Sequence, residues 1–206
     1  MILKDNRETR ERAAAIVKAG GIVAFRTDTF YGLGADPFNR TALQNLLALK
    51  GRDDGKPILL VIADTSDVAR FNARRSKLFD AVSARHWPGA LTLVVGAHAE
   101  LPEELTAGTG TIGLRLPADA EVCAFVRACG GALTATSANR AGEMPARTAE
   151  DVARAFPDGL ALVVDGGAAR TTEPSTVLDV SRGEARLIRE GAVSWRDLQE
   201  TIRNAG

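Results

Sequence analysis

Cations, hydroxyl groups and glycines gather at a few junctions of this 206-residue sequence, and together they suit the binding of anions. The densest cluster is Lys50-Gly-Arg52-Asp-Asp-Gly-Lys56-Pro57, between a helical pattern and an apolar run. Lys50 and Arg52 are two residues apart, so in an extended segment their side chains leave from one side and converge on a single anion, with Lys56 adding a third positive group. Taken alone, the cluster also reads as a solvated turn. A second cluster, Arg26-Thr27-Asp-Thr29-Phe-Tyr31-Gly-Leu-Gly34, reads as a loop dense in hydroxyls. Its glycines permit close approach of backbone to ligand; the alternative is a turn whose Asp and Thr side chains satisfy neighbouring amides. Ser137-Ala-Asn139 offers a hydroxyl and an amide at a strand exit, and Ser175 with Arg189 offers a hydroxyl and a cation. Arg115 sits inside the apolar strand pattern Ile112 to Leu116, where a buried guanidinium needs an anion, either a ligand's carboxylate or phosphate or one of the chain's own acids.

Other chemistries lack their groups. Neither a Walker loop nor a Gly-x-Gly-x-x-Gly fingerprint is present, and no Gly-x-Ser-x-Gly elbow accompanies the serines. His86 and His98 are the only histidines, and His86, in the turn His86-Trp-Pro-Gly89, reads as structural. Cys123 and Cys129 are six apart on a helical pattern, on different faces, and no Cys-x-x-Cys or His-x-x-x-His spacing supports zinc, so no metal ligands are expected. What remains suits a phosphorylated ligand and charge stabilisation in phosphoryl or nucleotidyl transfer.

The elements that must position these groups alternate between strand and helix. Helical patterns run from Glu8 to Ala19, up to Leu49, from about Ser76, from Ala120 to Cys129, from Thr148 to Phe156 and from Trp195 to Arg203. Strand patterns are Ile22 to Phe25, Ile58 to Ile62, Leu91 to Val95, Ile112 to Leu116, Leu133 to Thr136, Leu162 to Val164, Pro174 to Val177 and Ala185 to Ile188. Ile58 to Ile62 has no polar alternation and reads as a strand buried on both faces. The alternation predicts an α/β fold, a twisted, mixed, open sheet flanked by helices, and no linker divides residues 1–206, which read as a single domain. Lys plus Arg equals Asp plus Glu at 26 each, so no whole-chain basic field holds nucleic acid and anion binding must be local. No signal peptide or membrane-length apolar stretch appears, and the cysteine usage fits a reducing compartment; the expectation is a soluble cytoplasmic protein.

The blocks also resemble those of a known family. Thr27-Asp-Thr-Phe-Tyr-Gly-Leu-Gly34, Lys50-Gly-Arg52, Trp87-Pro-Gly89, Ile112-Gly-Leu-Arg115, Ser137-Ala-Asn139 and Pro174-Ser-Thr-Val177 are similar, in this order, to the signature blocks of the YrdC-like threonylcarbamoyl-AMP synthases, and the likeness covers nearly the whole chain. That resemblance implies a YrdC-like fold with a concave basic cavity. It implies synthesis of L-threonylcarbamoyl-AMP and pyrophosphate from L-threonine, bicarbonate or CO2, and ATP with Mg2+. The product would feed threonylcarbamoylation of adenosine 37 in tRNAs reading A-starting codons, through a downstream transferase complex and with tRNA contact a further implication. Lys50, Arg52, Lys56, Thr111, Ser137 and Arg189 would hold the nucleotide, with Lys50, Arg52, Ser137 and Asn139 as the catalytic set. Thr27, Thr29, Tyr31, Arg115 and Ser175 would hold threonine, Arg115 pairing its carboxylate.

Three positions depart from the family pattern: Arg26 stands where proline usually precedes the Thr-Asp-Thr block, Ala90 where proline follows Trp-Pro-Gly, and Lys56 where asparagine is common. The chain resembles the short form, without the extra C-terminal domain of longer relatives. One rival is an RNA-binding module that uses the same basic cavity without catalysis. Zero net charge and the lack of an aromatic stacking set oppose it. The other is a related carbamoyl-adenylate enzyme, whose accessory domains and zinc-finger cysteines are absent from the sequence.

Overall fold

The structure is a computed structural model that describes residues 1–51, 55–140, 142–171 and 173–205, so Arg52 lies outside the described residues. In chain order its first half contains β1 (Ile2–Lys4), α1 (Arg7–Lys18), β2 (Val23–Arg26), β3 (Tyr31–Gly34), α2 (Arg40–Lys50), β4 (Leu59–Ile62), a 3-10 turn (Thr65–Arg70), α3 (Lys77–His86) and β5 (Leu91–Gly96). There follow α4 (Glu103–Thr106), β6 (Thr111–Arg115), α5 (Ala120–Ala128), β7 (Ala132–Thr134), β8 (Thr136–Ser137), α6 (Ala149–Ala155), β9 (Leu162–Asp165), β10 (Thr176–Asp179), β11 (Arg186–Arg189) and α7 (Trp195–Ala205). Among the described residues no helix is long and apolar enough to cross a membrane.

The mixed α/β class expected from the sequence holds, but the strands divide into two sheets rather than forming one. A five-stranded sheet runs β1-β9-β2-β3-β8 and a six-stranded sheet runs β11-β10-β5-β6-β4-β7, each with parallel and antiparallel neighbours. Two local differences account for this. Tyr31–Gly34, read as loop because of its glycines, is a strand that forms an antiparallel hairpin with β2. Leu133 to Thr136, read as one strand, is two: β7 pairs with β4 in one sheet and β8 with β3 in the other, and the chain changes sheets at Ala135. Thr134 ties the crossing point, its hydroxyl donating to the Leu33 carbonyl at 3.0 Å and accepting from the Ala35 amide at 2.8 Å.

Period-two alternation explains where the core sits. Along β2, Val23 and Phe25 face a cluster built with Ala13 and Val17 of α1 and Val122, Phe125 and Val126 of α5, while Ala24 faces the larger core with Leu33 and Leu46. Phe25 stacks on Phe125 with ring centroids 5.0 Å apart, and truncating a ring buried in this way costs ~3–5 kcal/mol. Helix starts follow side-chain chemistry: Asn39, Ser76, Asp119 and Thr148 each accept a backbone N–H of the first turn that follows. The end of α2 matters most for the site. Gly51 closes it in the left-handed region at φ 61°, where a side chain would be strained, so Lys50 is the last helical residue and not part of an extended segment.

Candidate functional site

A cavity of about 250 Å3 opens between the two sheets. The β2–β3 connection supplies Thr27 and Thr29 to its wall, the end of β6 supplies Arg115, β8 supplies Ser137, and the segment around β10 and β11 supplies Ser175 and Arg189. Thr27 and Thr29 are fixed by local bonds: the Thr27 hydroxyl donates to the Phe30 carbonyl at 2.7 Å and accepts from the Thr29 amide at 3.1 Å.

Arg115 is buried at 6% exposure and held from three sides. Its Nε donates to the Gly89 carbonyl at 3.2 Å and its Nη1 to the Thr29 hydroxyl at 3.0 Å, while Nη2 lies 2.7 Å from Asp28 Oδ1. That last contact is one of charges rather than a well-aligned hydrogen bond, since neither atom meets hydrogen-bond geometry. Burial lowers the Arg115 pKa, and the Asp28 charge opposes the shift. Arg189, at the exposed rim, clasps the Ser175 carbonyl through Nη2 at 2.8 Å; its pKa is lowered first by burial and then by the like charge of Arg115. The Ser175 hydroxyl also lies 3.0 Å from that of Thr92. Two guanidinium groups that repel each other across a small cavity favour an anion between them.

The Lys50 ammonium stands behind Ser137 rather than on the wall. It donates to the Ser137 carbonyl, to the Ser137 hydroxyl at 3.2 Å, and to the backbone and side-chain oxygens of Asn139 at 3.2 and 3.3 Å. The Asn139 amide nitrogen in turn donates to the carbonyls of Arg140 and Glu143 at 2.9 and 2.8 Å, which fixes the loop beyond β8. Lys50 and the Ser-x-Asn block, 87 residues apart in sequence, are therefore one unit.

Other expected residues fall differently. Tyr31 lines the cavity, but its hydroxyl is turned away and donates to the Gly167 carbonyl at 2.8 Å, with a pKa raised by burial and by the Asp165 charge. The Thr111 hydroxyl is 2.8 Å from that of Thr109 at the far end of β6, off the cavity wall. Lys56 is exposed beside Pro57, which does line the cavity.

Comparisons with known proteins identify the family and the fold. The Sua5_yciO_yrdC family model, described as "Telomere recombination", matches residues 15–191. The chain belongs to this family. A Sua5_yciO_yrdC relative from Thiobacillus denitrificans, named threonylcarbamoyl-AMP synthase, is 40% identical over 181 residues, covering 86% of this chain and 96% of the relative. The solved structure of Pyrococcus abyssi Sua5 complexed with L-threonine superposes with a TM-score of 0.91 at 28% identity, covering 98% of this chain and 59% of that longer one. Escherichia coli YciO, at 23% identity and TM-score 0.82, shares the fold over 94% of this chain and 95% of its own length.

Within this candidate site, sequence reasoning missed two contributors. Thr92 is the one hydroxyl in the apolar stretch of β5, and its polarity inside that strand was the available signal. Asp28 was passed over as a turn residue, although it alternates with Thr27 and Thr29. The cavity wall carries hydroxyls and guanidinium groups and no carboxylate, and among the described residues no three His, Cys, Asp or Glu side chains cluster to hold a metal. That donor set does not fit a protein-borne magnesium centre.

Proposed function

We propose that this chain is a threonylcarbamoyl-AMP synthase, joining L-threonine, bicarbonate or CO2, and ATP into L-threonylcarbamoyl-AMP and pyrophosphate. The observation that carries this reading is one cavity lined by Arg115, Thr29, Ser175 and Arg189 together with Ser137, which has Lys50 behind it. The first group suits an amino acid: Arg115 pairs the carboxylate of threonine, and hydroxyls of Thr29 and Ser175 stand near to orient it. The second suits a nucleotide, with the Ser137 hydroxyl and the Lys50 charge beside its phosphates and Arg189 at the rim between the two.

The chemistry needs positioning and charge rather than a protein nucleophile. The threonine amine adds to CO2, loses a proton and becomes a carbamate; a carbamate oxygen attacks the α-phosphorus of ATP, and pyrophosphate leaves. Two anions meet in that step, and fixed cations offset their repulsion. Magnesium would arrive with the triphosphate, held by its oxygens. Arg52 and Lys56, from the segment next to Pro57, and Thr111 remain assigned to the nucleotide by resemblance. The product is a reactive adenylate, consumed by a transferase that modifies adenosine 37 of tRNA.

The direct test is incubation of the purified protein with ATP, L-threonine and bicarbonate, followed by mass detection of the adenylate and assay of pyrophosphate. Product that requires all three substrates is expected. Well-folded protein that forms none with all three present would sink the reading.

A further inference from the structure

Between β2 and the cavity the side chains of four successive residues alternate. Thr27 and Thr29 line the cavity. Arg26 and Asp28 do not, and each pairs with a residue of the segment that leaves β6: Arg26 Nη2 donates to Asp119 Oδ2 at 2.7 Å, and Asp28 Oδ1 lies 2.7 Å from Arg115 Nη2. The two pairs have opposite polarity, cation to anion and anion to cation, and all four side chains are nearly buried, at 6% and 7% exposure for Arg26 and Asp119 and 14% and 7% for Asp28 and Arg115. A one-residue slip of the loop would leave buried charges of the other segment facing threonines, and a two-residue slip would set Asp28 against Asp119, either of which is costly at this burial. The crossed pairs therefore lock the threonine-rich loop to the strand end that bears Arg115.

Within that lock Asp28 has the more specific task. Arg115 faces the like charge of Arg189, and its other two fixed contacts, the Gly89 carbonyl and the Thr29 hydroxyl, are neutral. Asp28 is the anion paired with this guanidinium among the described residues, and it is not itself part of the cavity wall. It thus draws Nη2 back, leaves Nη1 beside Thr29, and reduces the positive charge that an entering ligand meets.

We propose that Asp28 is a positioning residue of the amino-acid subsite, setting through Arg115 the direction and net charge with which the cavity meets an α-amino acid, so that a zwitterion is preferred over a purely anionic ligand such as inorganic phosphate. This inference rests on the reading of Arg115 as the carboxylate ligand of threonine. A zwitterion carries its ammonium into the same field as its carboxylate, so an unbalanced Arg115–Arg189 pair disfavours it, while a phosphate gains from the extra charge.

The experiment is isothermal titration of L-threonine, and separately of inorganic phosphate, into the full chain and its Asp28→Asn and Asp28→Glu variants, with KM for ATP measured in parallel. Asp28→Asn is expected to weaken threonine about 10-fold, to bind phosphate more tightly, and to leave KM for ATP within about twofold. Asp28→Glu, which keeps the charge and moves it by one methylene, is expected to fall between wild type and Asp28→Asn for threonine. A threonine affinity unchanged in Asp28→Asn, or threonine and ATP weakened alike, would overturn the inference and leave Asp28 a purely structural acid. If Asp28→Asn does not fold, Asp28→Glu decides by the same split: weaker threonine with KM for ATP unchanged supports the proposal, and any other pattern rejects it. A wild-type chain that binds no threonine would overturn this inference together with the functional reading beneath it.

Discussion

Lys50 joins the end of a helix to the proposed nucleotide subsite. It ends α2, where a cation is favoured by the partial negative charge of the last carbonyls, and its three N–H groups are shared among four oxygens of Ser137 and Asn139. Removing the ammonium leaves buried acceptors without a donor, at ~1–3 kcal/mol for each group left unsatisfied. Lys50→Met is thus expected to lower the melting temperature and to reduce adenylate formation more than about 100-fold, measured at a temperature where the variant is still folded. Lys50→Arg should not restore the rate, because a planar fork cannot converge on four oxygens gathered around one point. A Lys50→Arg rate within about twofold of wild type would show that only the charge is needed. The sequence made Lys50 legible as a candidate through its type and its Lys-x-Arg setting, but not its geometry. An extended segment was expected; the left-handed Gly51 ends a helix there instead, and the partner block lies 87 residues away.

At the scale of elements, the alternation of helices and strands and the caps at Asn39, Ser76, Asp119 and Thr148 could be read directly, because each depends on residues close in sequence. The division into two sheets could not. Whether Thr136 pairs with Leu60's neighbours or with Leu33 depends on contacts more than 70 residues away, and the apolar pattern is the same in either sheet. Strand β1 is three residues long, too short for alternation to register. Asp119 was legible as a cap but not as the partner of Arg26. Burial alone would raise the Asp119 pKa, but the hydrogen bond and charge of Arg26 outweigh it and hold the carboxyl below the usual range. A carboxyl depressed in the fold contributes stability that is present above its unfolded value of ~3.9 and is lost as pH falls through the lower folded value. Asp119→Asn, which keeps a capping oxygen and loses the charge, should cost ~3 kcal/mol or more near neutrality because it leaves Arg26 buried without its anion. The gap between wild type and Asp119→Asn should then narrow as pH falls below about 4, when wild-type Asp119 protonates as well. Thermal melts at pH 7 and pH 3 check this; a gap that widens in acid would show the pair is not what stabilises the junction.

At the scale of the whole molecule, the proposed substrates bind where the two sheets meet, so they act on the cooperativity of the fold as well as on the reaction. β8 belongs to the five-stranded sheet and carries Ser137, while β6 belongs to the six-stranded sheet and carries Arg115. Any ligand that spans them adds free energy to the folded state alone, about 2.7 kcal/mol at a concentration 100 times its dissociation constant. For a chain of this size that corresponds to a rise in melting temperature of roughly 5–10 °C. L-threonine and ATP should each produce such a rise, and the two responses should separate by variant. Arg115→Met is expected to abolish the response to threonine and retain that to ATP, and Lys50→Met the reverse. The net charge of zero makes this a fair comparison, because no overall basic field exists to bind either anion without regard to these side chains. If each variant instead lost both responses equally, the cavity would be acting as one undivided anion site, and the assignment of Arg115 to the amino acid and Lys50 to the nucleotide would fail.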